Sequence, residues 1–198
     1  MNKHRNSRRQ YKEALKSFLQ DFYWSFYKER IEEYPLPMAP QSFLFVCRGN
    51  ICRSPFAEHI AARIAREKQV VHFQFGSAGI EVGRAVPSPD MAKEVAENYG
   101  VNLNGHLSRS IKEINLKSYD MIIAMEGKQV KRLVGQFPEL KNRIFLLPFF
   151  QPSESSPRSG YLRYNIPDPF GKEREEFIRC FDRIKLCVER LLVKVMQG

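Results

Sequence analysis

The segment Phe43-Leu44-Phe45-Val46-Cys47-Arg48-Gly49-Asn50-Ile51-Cys52-Arg53-Ser54-Pro55 constrains the fold more than any other stretch of the chain. Four consecutive apolar residues, Phe43 to Val46, predict a strand buried on both faces, as in a parallel sheet covered by helices. A short Gly-containing loop follows, then Ser54-Pro55 and the helical pattern Phe56, Ile60, Ile64. Serine suits a helix N-cap and proline the first helical position. In open α/β sheets, ligands gather at the carboxyl ends of strands. A helix N-terminus adds unpaired N–H groups and a positive dipole end, which together favour an anion.

The alternation continues downstream. Strands are predicted at 70–75, 120–125 and 143–147. Helices are predicted at 88–99, stopped by Gly100, near 128–136, and at 172–195, where Phe177, Phe181, Ile184, Val188, Leu191 and Val195 form one stripe. Residues 151–169 read as a Ser- and Pro-rich loop. Alternating strands and helices argue for an α/β domain with a parallel sheet. The chain before Pro40 has a different rhythm. Residues 8–34 lack Gly and Pro, and Leu15, Phe18, Leu19, Phe22 and Phe26 recur at helical spacing until Pro35, Pro37 and Pro40 end the pattern. The expected organisation is an N-terminal amphipathic helix with a Pro-rich linker over residues 1–40, and a catalytic domain over 41–198.

Composition narrows the class. Of 198 residues, 43% are apolar and 27% charged, an ordinary globular balance. No run approaches 18 apolar residues, so no membrane-spanning helix is expected. The basic N-terminus is not followed by the apolar core of a secretory signal. Four cysteines in a chain of this length suit a reducing compartment, and a cytoplasmic location is expected. The net charge of +10 attracts nucleic acid, acidic lipid or phosphorylated substrates alike. No nucleic-acid recognition motif is visible, so nucleic acid is not an expected partner.

The loop itself suggests chemistry. Gly49 permits positive φ or close backbone approach, Asn50 tolerates the left-handed region, and the loop amides then form a phosphate-sized nest. A thiol facing a helix N-terminus is a candidate nucleophile in its thiolate form, which points to Cys47. Arg53 presents a planar fork suited to two phosphoryl oxygens. Ser54 can donate its hydroxyl to the thiolate when Cys47 leaves. A lone cysteine at a strand end is more often a small buried hydrophobe, and Cys-x5-Arg alone is a weak pattern. The added Gly, Asn and Ser in a strand–loop–helix setting favour the catalytic reading.

These residues resemble the signature loop of the low-molecular-weight protein tyrosine phosphatases, Cys-x-Gly-Asn-x-Cys-Arg-Ser-Pro, at every defined position. Ser77-Ala78-Gly79, Gly100, His106-x-Ser108-Arg109 and Asp168-Pro169-Phe170 follow in the family's order. The resemblance covers residues 41–198 and leaves residues 1–40 outside it. It implies a three-layer αβα fold around a four-stranded parallel sheet, and hydrolysis of phosphotyrosine through a phosphocysteine on Cys47. Arg53 and the amides of Arg48, Gly49, Asn50, Ile51, Cys52 and Arg53 would hold the phosphoryl group, and Asp168 would act as general acid and base. By the same resemblance Ser77 holds Asn50 in place, against the alternative of an ordinary turn serine. Phe170 lines the slot for the substrate ring, against the alternative of core packing. Ile51 stands where tyrosine-specific members carry Ile and arginine phosphatases carry Thr. Cys52 is either a small neutral residue of the cradle or, as relatives suggest, the partner of Cys47 in a protective disulfide.

Two other readings compete. An arsenate reductase of the same fold needs two relay cysteines, and Cys180 and Cys187 fall in the last helix instead of a mobile segment. A non-catalytic phosphoprotein-binding module is disfavoured by the presence of Cys47, Arg53 and Asp168 together. No cofactor is expected, and His4, His59, His72 and His106 lack metal-ligand spacing. Expected partners are a tyrosine-phosphorylated protein, such as a cognate tyrosine kinase, and phosphate or another oxyanion in the loop. The aromatic N-terminal helix calls for a surface to cover: its own domain or a second copy in a homodimer before an anionic membrane.

Overall fold

In the computed structural model, described over residues 36–152 and 161–197, the apolar run becomes Ser42–Cys47 (β1), an inner strand of a four-stranded sheet. Arg53–Glu67 (α1) follows the loop, then Gln74–Gly79 (β2), Asp90–Glu97 (α2), Met121–Ala124 (β3), Gly127–Gln136 (α3), Ile144–Leu146 (β4) and Arg174–Gln197 (α4). The strand order is β2-β1-β3-β4, and every pairing is parallel. This is the αβα fold expected from the sequence. The N-terminal amphipathic helix lies outside the described residues. Of the Pro-rich linker, Leu36 packs against the core and Pro40 is buried.

Alternation along β1 divides the core in two. Phe43, Phe45 and Cys47 face α1, α2 and α4, while Leu44 and Val46 face the side covered by α3. On the first side Phe56 of α1 stacks on Phe181 of α4, with ring centroids 3.9 Å apart. Burying each such ring is worth about 1.5–3 kcal/mol, so this contact fixes the helix that carries the loop's exit. The stripe predicted for the last helix is the buried face of α4.

The second strand lies later than its β-branched residues suggest. Val71 is 92% exposed, and pairing runs from Gln74, opposite Ser42, to Gly79, opposite Cys47. Small residues suit this site because neighbours come close. A Cβ on Gly79 would stand 2.5 Å from Val82 and 3.0 Å from both Arg48 O and Asn50 N. The predicted stop at Gly100 coincides with a left-handed residue, φ +63°, just beyond α2. The segment expected to be loop contains a helical turn, Tyr161–Tyr164, with Tyr164 packed into the α3-side core.

Candidate active site

The loop leaves the carboxyl end of β1, between the ends of β2 and β3. Its turn is made by Asn50, in the left-handed region at φ +54°. Gly49 has no positive φ, and a Cβ there would meet only the Ile51 side chain at ordinary contact distance. The conformational freedom expected of Gly49 is therefore used by Asn50, and the close approach is made by Gly79.

Asn50 is held through all its polar atoms. Its N–H donates to Cys47 Sγ at 3.2 Å, and its Nδ2 donates to Ser54 Oγ at 2.9 Å and Ser77 Oγ at 2.8 Å. Its Oδ1 accepts from Arg109 N at 2.9 Å, and its carbonyl pairs with His106 Nε2 at 2.7 Å. Ser77 Oγ in turn donates to Glu58 Oε2 at 2.5 Å. Burial pulls the His106 pKa below its ordinary value, and because a carbonyl oxygen can only accept, Nε2 is the donor in its contact with Asn50.

Ser54 is not the helix cap. Cys52 occupies that position, without a side-chain capping bond, and α1 begins at Arg53. The Ser54 hydroxyl is turned back to Cys47 Sγ, 3.0 Å away. A serine serving the thiol does not cap the helix, so α1 begins without a side-chain cap, and uncapped first-turn amides are what an anion meets at a helix N-terminus. Cys52 is buried, and desolvation, with Cys47 and Asp168 nearby, pushes its thiol far up and keeps it protonated.

Arg53 is 1% exposed and lies between two acids. Nη1 bonds Glu126 Oε1 at 2.5 Å and the Ile166 carbonyl at 3.0 Å, and Nη2 bonds Asp168 Oδ2 at 2.6 Å. Burial opposes its charge, but Cys47, Asp168 and Glu126 outweigh it and hold the guanidinium pKa above its ordinary value. Its Nε is buried with no protein partner. A buried donor of a charged group is costly to leave unpaired, which fits a guanidinium built to meet an oxyanion.

The structure thus brings together Cys47, Arg53, Ser54, Asn50, Ser77 and Asp168. Asp168 is part-exposed, with a side-chain exposure of 39%, and accepts the Phe170 N–H at 3.3 Å. Phe170 is 57% exposed at the surface, not packed in the core. Arg48 points outward to Glu81 at 2.7 Å, so its side chain forms part of the rim. Ile51, with Gly49, Glu81, Val82 and Arg84, lines a cleft of about 480 Å³ beside the loop. Cys180 and Cys187 are buried in the core of α4.

Sequence reasoning missed Glu126 and Glu58 as contributors, and named His106 and Arg109 only as parts of a motif. Glu126 was the accessible one. It follows β3, the strand beside β1, and so emerges at the carboxyl end where the loop sits.

The chain belongs to the low molecular weight phosphotyrosine protein phosphatases: the family profile described as "Low molecular weight phosphotyrosine protein phosphatase" matches residues 42–198. It is therefore a member of a family of phosphoric monoester hydrolases. It is 33% identical over 136 residues to the low molecular weight protein-tyrosine-phosphatase Etp of Escherichia coli K12, covering 69% of this chain and 82% of that one. It is 29% identical over 156 residues to a protein-arginine-phosphatase of Geobacillus stearothermophilus, covering 79% and 97%. The crystal structure of a protein tyrosine phosphatase from Entamoeba histolytica, with Hepes in its active site, superposes with a TM-score of 0.70 at 26% identity. That match covers 80% of this chain and 98% of the other.

Proposed function

We propose that this protein hydrolyses phosphotyrosine in proteins, and small aryl phosphates, through a phosphocysteine intermediate. Cys47 Sγ attacks phosphorus, the S–P bond forms and the P–O bond to the phenol breaks. Asp168, protonated, gives its proton to the departing phenol oxygen. Arg53 and the loop amides hold the phosphoryl oxygens as charge redistributes. Asp168, now a carboxylate, takes a proton from water, which attacks phosphorus. The S–P bond breaks, and Cys47 leaves as a thiolate stabilised by the Ser54 hydroxyl and the Asn50 amide. Phe170 and Ile51 flank the substrate ring.

The carrying observation is a single cluster: Cys47 beside Ser54 and Asn50 N–H, at the mouth of a loop backed by a buried Arg53 with a partnerless Nε. p-Nitrophenyl phosphate turnover by wild type and Cys47→Ser tests it. The variant is expected to retain phosphate-analogue binding and lose turnover, because the cradle survives and the thiolate does not. Turnover within tenfold of wild type would remove Cys47 as nucleophile.

A protein-arginine-phosphatase among the relatives raises a second substrate. Ile51 favours phosphotyrosine, and parallel assays on phosphotyrosine and phosphoarginine peptides decide between them. The physiological partner we assign is a tyrosine-phosphorylated protein, a cognate tyrosine kinase being one form of it. Residues 41–198 carry the activity in this reading. Deleting residues 1–38 is expected to leave turnover of a small aryl phosphate within a few fold while altering stability or association state. Among the described residues, no helix is long and apolar enough to cross a membrane.

A further inference from the structure

Behind the loop, Glu58 and His59 of α1 and His106 from the segment after α2 bring one carboxylate and two imidazoles together. Their ligand-type atoms lie within 4.8 Å of one another. All three are half-buried and line a cleft of about 650 Å³, with Asn102, Gly105 and Arg109 also on its wall. Glu58 and His59 are neighbours in sequence, and His106 joins them only through the fold, which is why no ligand spacing is visible in the sequence.

We propose that Glu58, His59 and His106 form a divalent transition-metal site of the zinc type, and that metal bound there slows turnover by loosening the Asn50 scaffold. Two imidazoles and a carboxylate, with a fourth position open to water, are a donor set that zinc accepts. Two of the ligands already have the outer partners that orient metal ligands. His106 Nε2 donates to the Asn50 carbonyl, which leaves the lone pair on Nδ1, and Glu58 Oε2 accepts from Ser77 Oγ. The Arg109 guanidinium, on the wall of the same cleft, donates from Nε to the Ser77 carbonyl at 2.8 Å.

The same outer partners supply the coupling. Around a zinc ion with bonds of about 2.0–2.1 Å, ligand atoms stand roughly 3.3 Å apart. Closing the set shortens the separations between ligand atoms by up to about 1.5 Å, a movement shared among the three side chains that stretches the bonds holding Asn50 and Ser77. Asn50 places its N–H on Cys47, so the effect falls on kcat while the oxyanion still binds Arg53.

The test uses Zn²⁺ and Co²⁺ on the full chain. Binding is measured on Cys47→Ser, so that the active-site thiolate cannot supply a ligand. One equivalent is expected, with a cobalt spectrum free of a thiolate charge-transfer band. Adding His59→Ala or Glu58→Gln is expected to weaken affinity roughly a hundredfold, with unchanged circular dichroism. In the chain with Cys47 intact, zinc at its binding concentration should lower kcat severalfold at nearly constant KM. The His59→Ala chain, normalised to its own zinc-free rate, should lose that sensitivity. The absence of binding at tens of micromolar metal, a thiolate band, or affinity indifferent to His59 would each overturn the site. Full turnover with metal bound would overturn the coupling. The binding arm is independent of the phosphatase reading, so the two can fail separately.

Discussion

The two ends of β1 carry opposite kinds of polar structure. At its amino end Asp120 Oδ2 accepts from Gln41 N, Ser42 N and Ser42 Oγ at 2.7–3.0 Å, and the Ser42 hydroxyl accepts Asp120 N in return. That clamp is closed and half-exposed. At its carboxyl end a buried guanidinium is shared between two acids and keeps one donor without a partner. A structural clamp saturates its hydrogen bonds, whereas an anion site holds charge in readiness and leaves a donor for the ligand. Substitutions at the carboxyl end should therefore move turnover more than stability, and those at the amino end the reverse.

The largest effect that can break this contrast is at Asp168. Asp168→Asn keeps the shape but cannot give up a proton. Phosphotyrosine hydrolysis should fall by roughly 10²–10⁴, the usual range for a general acid. The loss should shrink across a series of aryl phosphates as the leaving phenol becomes more acidic. An equal loss for every leaving group would assign the proton to another carboxyl, with Glu126 the nearest on Arg53.

Glu126 is next, because both stability and turnover pass through it. It is 2% exposed and bonds Arg53, Lys128 and Gln129. Glu126→Gln leaves Arg53 with Asp168 as its one acidic partner. Breaking a buried pair costs about 3–5 kcal/mol, and the remaining carboxylate should bring this near the lower bound. Phosphate should raise the variant's Tm by more than it raises that of wild type, because the dianion replaces the lost charge. Equal phosphate shifts in the two chains would separate Glu126 from the anion site.

Much of this arrangement was legible in the sequence, for physical reasons that can be named. The run Phe43 to Val46, ended by a Gly-containing loop, suits a doubly covered strand, and β1 is one. Cys47, Asn50, Arg53 and Ser54 lie within eight residues, so their convergence is a local property of one loop. What stayed hidden depends on contacts across the chain. The Ser77–Asn50 bond came from the resemblance alone, while Glu58–Ser77, 19 residues apart, and Asn50–His106, 56 apart, are contacts that no spacing encodes. The β2 boundary was misplaced because Val70-Val71 carries high strand propensity, while Gly76 and Gly79, poor strand formers, are required by the close approach of Tyr119 and of the loop backbone. Ser54 read as a cap because local rules cannot see that its hydroxyl has a thiol to serve.

Ser77→Ala should fall between the two extremes. It removes one acceptor from Asn50 Nδ2, which keeps Ser54, and leaves Glu58 without its donor. A loss of about 1–3 kcal/mol is expected for a buried network cut at one member. A severalfold fall in kcat should accompany it, as Asn50 loses its hold on the loop. Unchanged kcat at reduced Tm would mean that Ser54, Arg109 and His106 fix Asn50 without Ser77.

The smallest effect is at the amino end, and it has a pH signature. Burial pulls the Asp120 carboxyl up, but the hydrogen bonds from Gln41 and Ser42 outweigh it and hold it below the ordinary aspartate value. A carboxyl depressed in the folded state contributes stability that is fully present above its unfolded pKa, near 3.9. That contribution disappears as pH falls through the lower folded value. Asp120→Asn should therefore be less stable than wild type by about 1 kcal/mol at pH 5–7, the scale of one net hydrogen bond, as read by urea denaturation. The gap should close progressively below pH 4, where wild type also becomes neutral at this position. At pH 7 turnover should match wild type, because Asp120 lies a full strand length from Cys47. A stability gap that persists at pH 3 would mean that the clamp works through shape alone, and a loss of turnover at pH 7 would dissolve the division between the two ends of β1.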